Sequence, residues 1–265
     1  MADYKTKDDI LRQKLNRPLL KRIIVRFDYS SIADMQKVLN KMVNYLKPPK
    51  GIFNNFDQMV LTNDTTQEDG TTIQGKDRIT QVVYRFSECS IKPKQDVILD
   101  FARNNLCLDI HCNEQYEKID EYLEMMSKLM SYIIRNEDFV QLNRIGLRKI
   151  DGVDGIDAKE ADSTFEYFSQ RLNWSKKDQM LSQQYTDQML CNDLPAFVIY
   201  NRIVRYNPES NNLRFTLDID CYKESSQIER RPQKEWLDSA LKAMNDKLFL
   251  LFKMGIKLEY FNKYL

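Results

Sequence analysis

Ile23, Val25 and Phe27 alternate with other residues across Arg22–Tyr29, the period-two spacing of a half-buried β-strand. The rhythm then changes. Ile32, Met35, Val38, Leu39, Met42, Val43 and Leu46 recur at three- and four-residue intervals, which predicts an amphipathic helix capped by Ser30 or Ser31 and stopped by Pro48 and Pro49. Residues 62–78 are polar and turn-rich and read as a loop or hairpin tip, with strands resuming on both sides. Ile79–Ile91, Asp96–Phe101 and Leu106–Cys112 have β-type composition, and a turn at Arg103–Asn105 joins the last two. Ile119, Leu123, Met126, Leu129, Met130 and Ile133 then mark the buried face of a helix over 117–135.

The second half repeats this order. Arg144-Ile-Gly-Leu-Arg148 echoes Arg22-Ile-Ile-Val-Arg26, and it leads into an acidic turn, Asp151–Asp157, and a helix over 161–172. A hairpin follows, Phe197–Tyr206 with Leu213–Tyr222. Within it, Asn211 to Cys221 matches Asn104 to Cys112. From Pro232 onward, Trp236, Leu237, Ala240, Leu241, Met244, Leu248 and Leu251 form a helical stripe with Gly255 as its stop. Short connections between strands require antiparallel pairing. The reading is therefore an α+β fold: a duplicated β-α-β-β-α unit with antiparallel sheets and a long C-terminal amphipathic helix. It divides the chain into a basic segment 1–21, a first repeat 22–138 and a second repeat 139–265, with two lobes sharing a core preferred to one curved sheet.

Composition narrows the chemistry. One histidine, His111, and seven glycines leave no stretch with the spacing of a phosphate-binding loop or dinucleotide fingerprint. The charged N-terminus and the lack of a long apolar run predict a cytoplasmic protein without a membrane partner. Five scattered cysteines (Cys89, Cys107, Cys112, Cys191, Cys221) read as free thiols. Charge is uneven. Residues 1–50 hold 12 Lys/Arg against 5 Asp/Glu, and residues 51–200 hold 16 against 25.

Cys107, His111 and Cys112 resemble a thiol or metal cluster at first sight. Strand alternation puts Cys107, Asp109 and His111 on one face and Cys112 on the other, and Cys107 and His111 lie about 13 Å apart along a strand. A sheet histidine beside buried thiols is the preferred reading. Asp109, Asp218 and Asp220 occupy matching places in the two repeats, on what read as edge-like hairpins. If the repeats face each other, these carboxylates converge on a divalent metal, the basis of an alternative reading as a metal-dependent hydrolase. Asp151-Gly-Val-Asp-Gly-Ile-Asp157 lacks the full calcium-loop pattern and is read as a strand-to-helix turn. Lys14, Arg17 and Lys21, joined by Arg202, Arg205 and Arg214 of the second hairpin, form the alternative nucleic-acid surface.

Arg144-Ile-Gly-Leu-Arg148 and the C-terminal Leu251-Phe252 through Glu259-Tyr260-Phe261 resemble an uncharacterised, sporadically distributed prokaryotic family of similar length. That resemblance implies no established activity and suggests defence-associated gene neighbourhoods. The expectation is thus a non-enzymatic protein-interaction scaffold with no cofactor. Another protein is the leading partner, nucleic acid is the alternative, and self-association is left open.

Overall fold

Among the described residues, eleven strands and three α-helices follow one another in the order β1 (Leu20–Tyr29), α1 (Met35–Leu46), β2 (Asn55–Leu61), β3 (Asp64–Thr66), β4 (Thr72–Gln74), β5 (Gln81–Glu88), β6 (Gln95–Ala102), β7 (Asn105–Cys112), α2 (Ile119–Asn136), β8 (Leu142–Asp157), β9 (Ser182–Cys191), β10 (Ala196–Asn207), β11 (Asn212–Glu224) and α3 (Lys234–Gly255). The computed structural model describes residues 19–48, 51–61, 64–66, 72–74, 81–88, 95–112, 119–157 and 182–255. The helix expected over 161–172 and the segment beyond Gly255 lie outside the described residues.

Nine of the strands form one antiparallel sheet in the order β2-β5-β6-β7-β1-β8-β11-β10-β9, and β3 and β4 pair as a small separate hairpin. The fold is mixed α+β. In place of two lobes there is one continuous sheet with β1 and β8 at its centre. Val25 and Leu147 face each other across that central pair, and both are fully buried. Read outward from the centre, one side runs β7, β6, β5 and the other β11, β10, β9, with β2 added at the first end.

Alternation along each strand sorts side chains onto two faces. Ile23, Val25, Phe27 and Tyr29 of β1, Leu106, Leu108 and Ile110 of β7, and Phe215, Leu217 and Ile219 of β11 are buried with the apolar stripes of the helices in one core. Fully burying a side chain of this kind contributes about 1.5–3 kcal/mol, so this layer holds the sheet to its helices. α3 lies against β8 and β11 and packs on α2, which in turn meets α1. The opposite sheet face carries Arg22, Arg26 and Asp28 of β1, Asp109 and His111 of β7, and Arg144 and Arg148 of β8.

Several local expectations are corrected. Asp34, and not Ser30 or Ser31, caps α1, accepting from the Lys37 amide at 3.0 Å. Ser30 instead ties β1 to the start of β8: its hydroxyl donates to the Phe139 carbonyl and accepts from the Gln141 amide. Asp151–Asp157 is no turn, because β8 runs through it with only Gly155 at positive φ, 75°. Hydrogen bonds to β11 keep the segment extended, a tertiary constraint that outweighs its turn-like composition. β7 and β11 are interior strands, not edges, since each is paired on both sides.

Candidate functional site

The exposed face of the sheet is organised by arginine–aspartate pairs, and their geometry follows from register. Arg22 on β1 stands opposite His111 of β7, one diagonal step from Asp109. Its Nε donates to Asp109 Oδ1 at 2.7 Å and its Nη2 to Oδ2 at 2.5 Å. Arg148 on β8 stands opposite Asp220 of β11, one diagonal step from Asp218, and makes the same fork at 2.7 and 2.5 Å. Arg22 opposes Ile150 and Arg148 opposes Ile24, so the two forks are related by a local twofold between Ile23 and Lys149. The spatial counterpart of Arg22 is therefore Arg148, four residues along from the Arg144 that sequence matching selects.

The pattern extends sideways. Arg144 donates to Asp220 at 2.7 Å, approaches Asp28 at 3.8 Å and stacks 4.6 Å from the centre of the Tyr222 ring. Arg85 forks onto Asp100, and Arg26 pairs with Asp28. Hydrogen bonding to the partner carboxylate raises the pKa of Arg22, Arg26, Arg85 and Arg148. Burial raises that of Asp220, against the pull of Arg144 and Arg148. Bidentate forks of this kind fix orientation as well as charge.

The expected metal ligands are thus held apart. Asp109 is bound by Arg22, Asp218 by Arg148 and Asp220 by Arg144, and two central strands separate Asp109 from the other two. Among the described residues, no group of three or more His, Cys, Asp or Glu side chains is placed to hold a metal ion. His111 lies on the face predicted for it, its Nε2 3.5 Å from Asp109 Oδ2, with Cys112 on the buried face. Burial pushes the thiols of Cys107 to about 11 and of Cys112 and Cys221 to about 12, which disfavours the thiolate at neutral pH. Cys89 lies outside the described residues.

The basic set is divided too. Lys14 and Arg17 lie outside the described residues, and Lys21 is exposed on β1. Arg205 and Arg214 oppose each other across β10 and β11, with Arg214 paired to Asp154 at 2.6 Å. Arg202 points to the other face of β10, where it pairs with Asp187 and lies over Tyr185 and Tyr200.

Two features escaped the sequence reading. One is a cavity of about 560 Å³ between α1 and α2, floored by Met42, Leu46, Met125 and Leu129 and bordered by Tyr132, whose buried hydroxyl has no hydrogen-bond partner. The other is the pair of outer strands. β2 and β9 are mostly exposed, with Phe56, Val60, Tyr185 and Leu190 among the exposed large apolar residues. Both carry Asp-Gln-Met followed by an aliphatic residue, Asp57–Val60 and Asp187–Leu190, a string that recurs at 178–181 and so does not by itself mark an outer strand. No described helix is long and apolar enough to cross a membrane.

No protein-family model matches the chain, and no curated protein is significantly similar to it.

Proposed function

We propose that this chain is a non-enzymatic protein-interaction scaffold built from two copies of one α+β unit, each setting a central strand beside three further strands and a closing helix rather than the two strands expected from the sequence. The observation that carries the reading is the pair of outer strands. Each has an edge without a strand partner among the described residues, and an unpaired edge offers a row of backbone donors and acceptors to an extended segment of another chain. The arginine forks support it from the other direction. They bind the carboxylates that an acid-based metal enzyme would need and stiffen the sheet that presents the edges. The matching forks on either side of the β1–β8 pair, with the same strand order outward from it, support the duplication.

The test is purification of the tagged full-length chain from its native host at moderate salt. A protein partner in stoichiometric amount, or self-association, is expected, and lysines at Val60 and Leu190 should abolish it. A chain that is monomeric and alone overturns the reading. Nuclease-sensitive nucleic acid as the sole companion does so too, and favours the basic-surface alternative.

A further inference from the structure

We propose that β9 pairs with β9 of a second copy of this chain, joining two nine-stranded sheets across a twofold axis perpendicular to them. The inference rests on the interaction reading above and names its partner.

β9 has the features of a strand left open for pairing. Its register with β10 runs from Ser182 to Cys191 without a bulge. Seven of its ten residues are exposed, and no strand lies outside it among the described residues. Folded proteins shield such edges with lysine, proline, bulges or short length. Ser182–Cys191 has no lysine, arginine or proline, and its one charged side chain is Asp187. By contrast, β2 is shorter, and its Phe56 packs on its own sheet, 5.1 Å from Phe86 and 6.1 Å from Tyr84.

The strand is also complementary to itself. A perpendicular twofold keeps both helix layers on one side and places a single residue of β9 opposite its own copy. Centring on Asp187 sets carboxylate against carboxylate, which is unfavourable. Centring on Tyr185 or Gln188 shortens the paired stretch. Centring on Thr186 pairs Ser182 through Leu190 and opposes Thr186 to Thr186, Gln184 to Gln188 and Tyr185 to Asp187. The last match is a hydrogen bond in waiting. The Tyr185 hydroxyl already accepts from Gln183 at 2.6 Å and retains a proton to donate. Asp187 engages Arg202 through Oδ2, leaving Oδ1 for the tyrosine across the axis. Because antiparallel self-pairing closes, it yields a dimer and not a filament.

Sedimentation of the full-length chain over micromolar to high micromolar concentrations tests this. The wild type is expected to dimerise. Gln184→Lys with Gln188→Lys sets lysine against lysine twice and should weaken the dimer at least about tenfold. Gln184→Lys with Gln188→Glu sets lysine against glutamate twice and should restore it. Both positions are exposed, so the melting temperature of the monomer should be unchanged in either variant. A monomeric wild type overturns self-pairing, and if that monomer still retains another host protein, the scaffold reading stands. Equal dimerisation by all three chains, or loss of it in both variants, also overturns the proposal.

Discussion

Asp151 is buried beneath α3, in a small void lined by Leu20, Lys149, Ile219, Leu248, Phe249 and Phe252. Loss of solvation pushes its carboxyl up to about 7, against the pull of Lys149 and with the push of Asp218. The folded state therefore binds a proton that the unfolded state has released. Stability should fall as pH rises from about 4 to about 7, with a limiting slope of about 1.4 kcal/mol per pH unit. Asp151→Asn should remove this slope and exceed the wild type in stability at pH 8; urea titrations from pH 4 to 8 would check it, and an unchanged slope would refute it. A second expectation concerns the forks. A double-mutant cycle on Arg148 and Asp218 should give a coupling of about 1 kcal/mol, reduced by the partial exposure of the arginine. The same cycle on Arg22 and Asp109, where the carboxylate is more exposed, should give a smaller one, both measured by denaturant unfolding.

Among the elements, α1 and its exit show how backbone geometry decides what the apolar stripe leaves open. Val38, Leu39, Met42 and Leu46 are its buried residues, all members of the stripe read from the sequence; its start is set by Asp34, and it ends at Leu46 with Lys47 extended just before Pro48. The Gly51 amide donates to the Lys47 carbonyl, and a Cβ at Gly51 would lie 2.0 Å from the Leu46 carbonyl oxygen. Since that neighbour is backbone, it has little room to yield. Gly51→Ala should cost about 2 kcal/mol or more, seen as a lower urea midpoint with unchanged slope. A neutral result would mean that the turn relaxes freely. β8 makes the converse point, because Asp151–Asp157 has the composition of a turn but is held extended by β11.

Across the whole molecule, β1 and β8 bind the two halves through the middle of one core, so no seam separates them. A single unfolding transition is expected by calorimetry and fluorescence together, and residues 1–138 or 139–265 produced alone should not reach native-like stability. Two separate transitions, or a well-folded half, would contradict this. Much of the architecture was legible in the chain itself. Periods of two and 3.6 located β1, β7, the hairpin of β10 with β11, and all three described helices, because those periods report which side chains face a core. The likeness of Asn104–Cys112 to Asn211–Cys221 sets Asp109 beside Asp218 in the alignment, and each of the two takes an arginine fork from a central strand. The arginine each would meet was not legible, since that depends on which strands become neighbours and in what register. Carboxylates on matching strands look, in one dimension, like partners for a metal. Only the insertion of β1 and β8 between them, each bringing an arginine one diagonal step away, separates Asp109 from Asp218. The open edges of β2 and β9 belong to the same category. Local sequence sets a strand's faces, but whether it has a neighbour is decided by the order of the assembled sheet.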